Sequence, residues 1–275
     1  MQKIKNLAYL LVMLLVLSSC GEYNKVLNKG SIQEQYKMAV KMYEVQKYSK
    51  ALRLFEKVTP SYRGKPQMER IQYMVSQSNF NEKNYSLAGY YFNRFAKNYP
   101  KSSKKEDAAF LSALSYYKAA PSFSLDPTDT NKALASFQSF IDAYPNSNKL
   151  DEANKYYAEL RAKLEKKAFE IAKTYYRIAE HNLYENYYRA SITAFDNLLS
   201  DYLGTKYKEE ALYFRLKAAH DFAMKSTQRR KAVRIKAAIN AYDKLNRSFP
   251  ESKFIKDSNA MLAALNKEQE QLVKS

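Results

Sequence analysis

The stretch Ala88-Gly89-Tyr90-Tyr91-Phe92-Asn93-Arg94-Phe95-Ala96-Lys97-Asn98-Tyr99-Pro100 carries the pattern that decides the fold. Its skeleton is a small residue, an aromatic four positions later, an apolar residue three beyond that, and then a proline. The first three share one helical face. The proline ends the helix. The spacing returns at Ala133, Phe137, Phe140 and Pro145, and again at Ala238, Tyr242, Leu245 and Pro250. Ala51, Phe55 and Val58 form a copy without the proline. Ser191, Phe195 and Leu198 form a weaker one, with Leu203 in the proline's place.

A second pattern lies upstream of these copies. Tyr36, Ala39 and Tyr43 are followed 37 residues later by Tyr73, Ser76 and Phe80, and after another 37 by Phe110, Ala113 and Tyr117. Tyr176 and Tyr213 are separated by the same step. The unit is therefore helix, turn, helix, repeated, which is the signature of a tetratricopeptide (TPR) array. One helix pair cannot bury its apolar face alone, whereas stacked pairs share a continuous core. The expected fold is all-α: a right-handed α-solenoid of about five TPR helix pairs with a C-terminal capping helix.

Composition agrees with this. The 275 residues include five glycines and seven prolines, so helices are seldom interrupted. Tyrosine is abundant, and five Tyr-Tyr pairs occur, such as Tyr90-Tyr91 and Tyr116-Tyr117. The formal charge is +18, and removal of Lys3 and Lys5 with a leader would leave +16. Such a surface favours anionic partners.

The N-terminus reads as an address. Lys3 and Lys5 precede an uncharged apolar run from Leu7 to Leu17, closed by Leu17-Ser18-Ser19-Cys20. The run is too short for a comfortable membrane span and has the form of a secretory signal peptide. Leu-Ser-Ser-Cys resembles the bacterial lipobox, in which the thiol takes a diacylglyceryl group and becomes the new N-terminus. Cys20 is the only cysteine, so internal disulfides are excluded. The expected layout is a signal at 1–19, a lipidated N-terminus with a flexible polar tether at 20–30, and the TPR region at 31–275. That region divides into halves at 31–145 and 146–275.

Local signals place the elements. Ser31 and Glu34 have the spacing of a capping box for the first helix. Pro121 to Thr130 interrupts the third pair, with Thr130 expected to cap the helix that follows. From Asn146 to Leu203 there is neither glycine nor proline, so 150–184 reads as one very long helix or two with a kink. Gly204 suits a helix C-cap. A final amphipathic helix is expected over about 252–266.

These features together resemble the BamD family of TPR lipoproteins in the outer-membrane β-barrel assembly machinery. The most telling pieces are Ala88 to Phe95, the Pro121 to Thr130 insertion, Ala133 to Ser147, and Lys206 to Leu212. Members usually read Tyr-Pro-Asp-Thr at the end of the fourth repeat. Here the residues are Tyr202-Leu203-Gly204-Thr205. The resemblance implies a non-enzymatic scaffold anchored by lipid at the periplasmic face of the outer membrane. It also implies binding of BamA-like POTRA domains and of unfolded β-barrel precursors. The alternative is another cell-envelope TPR adaptor lipoprotein, in peptidoglycan or polysaccharide work. The targeting signal argues against nucleic acid.

No enzymatic site is legible. His181 and His220 lack metal partners at ligand spacing, and no Gly-rich phosphate loop, H-E-x-x-H or G-x-S-x-G occurs. Glu106-Asp107 and Glu209-Glu210 open predicted helices and complement the dipole. No metal and no cofactor is expected beyond covalent lipid on Cys20. Two binding surfaces are expected. Tyr36, Tyr73 and Phe110 fall at one repeat position, and Tyr43, Phe80 and Tyr117 at another, with Gln77 between. If they face the groove, they form an apolar, hydroxyl-edged strip for a client; the alternative is packing against neighbouring helices. Arg229, Arg230 and Arg234 lie in a stretch without acids from Asp221 to Asp243 and would dock an acidic partner, or else form a solvated face.

Overall fold

A computed structural model describes residues 21–181 and 185–274. Among these residues all regular structure is helical. Helix α1 covers 21–29. The repeat pairs follow: α2 (Ile32–Glu44) with α3 (Tyr48–Val58), α4 (Gln67–Asn81) with α5 (Tyr85–Asn98), and α6 (Lys105–Ala119) with α7 (Thr128–Ala143). Then come α8 (Leu150–His181) with α9 (Glu185–Asp201), α10 (Lys208–Met224) with α11 (Gln228–Ser248), and finally α12 (Ile255–Lys274). This is an all-α array of TPR-type helix pairs. The described residues divide into two compact units, one up to 121 with 126–160 and one of 122–125 with those from 161 onwards. The division falls inside α8 rather than at 145/146, because α8 is one helix of 32 residues that contributes to both cores.

The repeat is visible in backbone detail. After α2, Val45 N–H donates to Lys41 O, Gln46 to Tyr43 O and Lys47 to Met42 O. After α4, Glu82, Lys83 and Asn84 donate to Ser78, Phe80 and Asn79 in the same order. Each partner is shifted by 37. The long back-reaching bond satisfies a carbonyl that a helix end would leave unpaired. It requires a left-handed residue, and Gln46 (φ 57°) and Lys83 (φ 63°) supply it at equivalent positions.

In the first unit, Ala51, Phe55, Ala88, Phe92, Phe95, Ala133 and Phe137 are wholly buried. The alanines let helices approach, and the rings fill the space between pairs. The helices come close at Gly89, where an added Cβ would lie 2.8 Å from the Tyr116 ring. The Ser112 hydroxyl seals the contact by donating to Gly89 O at 2.8 Å. In the second unit Phe195, Ile235, Ala238 and Leu245 play the same part.

Three local expectations are corrected. The stretch read as a flexible tether is helical over 21–29. Tyr23, Val26 and Leu27 recur at helical spacing and pack on the first repeat, with Tyr23 buried and its hydroxyl donating to Lys50 O at 3.2 Å. Thr130 does not cap α7. It is buried inside that helix, and Asp126 Oδ1 accepts the Thr128 N–H at 2.9 Å instead. The last helix runs to Lys274 rather than stopping near 266. The Ser31–Glu34 capping box is formed as read. The signal segment and Cys20 lie outside the described residues.

A recurring clamp follows the second to fifth pairs. Ser102, Ser147, Thr205 and Ser252 each stand two residues after the proline position. Their hydroxyls donate to Glu69, Glu106, Glu165 and Glu209, at 2.6, 2.6, 2.9 and 2.7 Å. Each also accepts the backbone N–H two residues on. The turn Tyr202-Leu203-Gly204-Thr205 therefore keeps the clamp despite lacking the proline, with Gly204 at φ 80°. Glu106-Asp107 and Glu209-Glu210 thus do more than complement a dipole. Lys149 pairs with Asp107 and Lys253 with Glu210, tying each next turn down.

Candidate functional site

The two aromatic rows differ in what they can do. In the first, Tyr73 is 8% exposed and its ring lies 5.2 Å from Phe95. Phe110 is 5% exposed and lies 5.4 Å from Phe140. Both are core, so neither can grip a client. Helices α4 and α6 turn this position towards the rings of their own partner helices, α5 and α7. Tyr36 is half-buried and tilts against Tyr62 at 5.0 Å.

The second row is half-buried throughout: Tyr43, Phe80 and Tyr117, with Gln77 beside them. The Tyr43 hydroxyl donates to Gln77 Oε1, linking the first pair to the second. Phe80 meets Tyr85 edge-on at 5.5 Å, with Lys118 Nζ 5.9 Å above it. The Tyr117 ring lies 4.4 Å from Tyr156, and its hydroxyl donates to Glu159 at 2.5 Å. That bond, then burial, pushes the Tyr117 phenol up to about 12. Burial does the same to Tyr73, with Asp107 adding to it, again to about 12. At neutral pH both phenols are uncharged, and the Tyr117 hydroxyl keeps the proton it donates to Glu159.

A concavity lies on the other side of α4. A groove of about 980 Å3 is lined by Leu52 and Arg53 of α3, Gln72, Val75 and Asn79 of α4, and Leu87, Tyr91 and Arg94 of α5. Gln72, Val75 and Asn79 point away from Tyr73, Gln77 and Phe80 on the same helix. The aromatic rows therefore do not line this groove. The signal that could have found it is the second amphipathic face of α4, Met68, Ile71, Val75 and Asn79, masked by the stronger aromatic pattern.

In the second unit the three arginines do not form one patch. Arg229 is exposed. Arg234 is half-buried, its guanidinium 3.7 Å from the Phe222 ring centre and its Nη1 donating to Ser226 Oγ at 2.6 Å. Arg230 and Arg234 follow Arg229 by one and five positions, which turns them roughly 100° to 140° away from it. Arg234 is therefore a brace between α10 and α11, because the cation finds an aromatic face within its own fold.

A partly buried polar network joins α8 to α10. The Tyr176 hydroxyl shares its one proton between Asp221 Oδ2 at 2.7 Å and Glu180 Oε1 at 2.8 Å, and His220 Nδ1 lies 2.8 Å from Asp221 Oδ1. Burial would raise the Asp221 carboxyl, yet the bonds from His220 and Tyr176 hold it below its ordinary value. Among the described residues no cluster of His, Cys, Asp and Glu has the form of a metal site. No described helix is long and apolar enough to cross a membrane.

A family model described as outer membrane lipoprotein, YfiO, matches residues 28–233. The chain belongs to the YfiO family of outer membrane lipoproteins. The match spans the first four pairs of this YfiO chain and ends within α11. The outer membrane protein assembly factor BamD of Rickettsia prowazekii is 26% identical over 235 residues, covering 82% of this chain and 90% of that protein. BamD of Haemophilus influenzae is 24% identical over 185 residues, covering 64% and 70%. Among solved structures, the TPR2AB domain of yeast Sti1 is similar over 86% of this chain and 98% of that one, at 11% identity. Its TM-score is 0.35, too low to add to the fold read from the YfiO helices themselves.

Proposed function

We propose that this lipoprotein is a non-enzymatic scaffold of outer-membrane protein assembly. In this reading it is anchored through lipid on Cys20 at the periplasmic face. It holds the POTRA domains of a BamA-like barrel and unfolded β-barrel precursors, and uses no metal or cofactor. The observation that carries the reading is the relationship to BamD across most of both chains, 82% of this one and 90% of the Rickettsia protein. The fold supports it, since stacked helix pairs offer extended surfaces rather than an enclosed site.

Within the scaffold, the client surface of this proposal is the half-buried row of Tyr43, Gln77, Phe80 and Tyr117. Tyr73 and Phe110 support it from beneath. Rings with one face packed and an edge open suit the alternating apolar side chains of an extended precursor strand.

The test is affinity recovery of the intact lipoprotein from its own membrane. Co-recovery of a POTRA-containing barrel is the expected result. Enrichment of wall or glycan enzymes without any such barrel would overturn the reading in favour of another envelope adaptor.

A further inference from the structure

Helix α11 presents a stripe that the fold does not use. Arg229, Val233, Lys236, Asn240, Lys244 and Arg247 are all exposed. Their spacing of four, three, four, four and three residues keeps them on one helical face. The face runs about 27 Å, at 1.5 Å per residue. None of its four cations forms a hydrogen bond, ion pair or ring contact among the described residues. The other basic residues of the helix are engaged. Lys231 pairs with Glu268, and Arg234 braces Phe222 and Ser226. The one acid on the helix, Asp243, is half-buried at the edge of the stripe.

The chain belongs to an outer membrane lipoprotein family, so a phospholipid surface is at hand. We propose that the outward face of α11 docks on anionic phospholipid headgroups. Four unpaired cations in a line match a negatively charged sheet of phosphates. The residues between them are short: Ala232, Ala237, Asn240 and Val233, the last 76% exposed. Headgroups can therefore reach the cations without displacing bulk. A fluid layer of lipids can bring a phosphate to each cation in turn, whereas a protein would need carboxylates fixed at the same spacing. The stripe has no Trp, Phe or Leu to insert, so the contact is peripheral, electrostatic and salt-sensitive.

The experiment uses the chain from residue 20 onwards with Cys20→Ser, so that no acyl anchor contributes. It is sedimented with neutral phosphatidylcholine vesicles, or with vesicles in which about a quarter of the lipid is phosphatidylglycerol. Retention on the anionic vesicles only is expected, falling at least about tenfold when Arg229, Lys236, Lys244 and Arg247 are reversed to Glu. A matched variant reverses four exposed lysines of the other unit, Lys37, Lys97, Lys101 and Lys155. It should keep most of the retention. Melting curves establish that both variants fold. Equal loss in the two variants would overturn the proposal, since diffuse net charge would then explain binding. Retention unchanged by the stripe reversal would overturn it as well. So would binding of the stripe to an acidic protein but not to anionic vesicles.

Discussion

The Ser252 hydroxyl donates to Glu209 Oε1 at 2.7 Å and accepts the Phe254 N–H at 3.1 Å. One side chain thus shapes the turn before α12 and ties it to the first turn of α10. The same bond recurs at Ser102, Ser147 and Thr205. Ser252→Ala should cost about 1–3 kcal/mol, because the bond is to a charged acceptor and Ser252 is buried. Glu209→Gln should cost less when added to Ser252→Ala than alone. Chemical denaturation of the four proteins in that cycle measures the coupling. Strict additivity would mean that the two residues act independently.

Gly89→Ala tests packing against propensity. Alanine in a helix interior is favoured over glycine by about 1 kcal/mol, so helix propensity alone predicts a stabler protein. The added Cβ would meet the Tyr116 ring at 2.8 Å, and Tyr116 is itself buried. Overpacking of this kind costs about 1–3 kcal/mol. A lowered melting temperature is expected, and a raised one would contradict the α5–α6 contact.

Alkaline pH should weaken the first unit. Tyr73 and Tyr117 are each raised from 10.0 to about 12 in the fold. The unfolded chain gives up those protons first. The stabilisation is therefore fully present below pH 10 and is lost as the pH rises towards 12. Melting followed against pH should show a decline over that window. Tyr73→Phe, which keeps the ring and removes one of the two titrating groups, should make it shallower.

The half-buried row yields a client test. Phe80→Ala with Tyr117→Ala should reduce crosslinking to a peptide copying a barrel's C-terminal strand, with helicity retained. Tyr91→Ala, in the groove across α4, should leave it unchanged. The opposite pattern would move the client to that groove.

Cys20→Ala should abolish metabolic acyl labelling and release the protein from membranes or block its processing. A variant that still carries label and partitions with membranes would remove the anchor from the proposal.

The repeat was legible in the sequence because TPR packing is periodic. Ala88, Phe92 and Phe95 must recur wherever one pair meets the next, so the buried positions of these second helices and the pair boundaries could be read from spacing. The Ser31–Glu34 box was legible for the same reason, since both partners lie within one helical turn. What spacing could not decide is which neighbour each face meets. Tyr36, Tyr73 and Phe110 occupy one repeat position, yet Tyr36 is half-exposed while the other two are buried under rings from a partner helix. Arg229 and Arg234 belong to one basic run, but the Phe222 ring claims only Arg234. The clamps join residues 33 to 43 positions apart, through hydroxyls whose partners only the stacked helices bring near. Local periodicity is a property of the chain; burial, pairing and the free face of α11 depend on where the other helices lie.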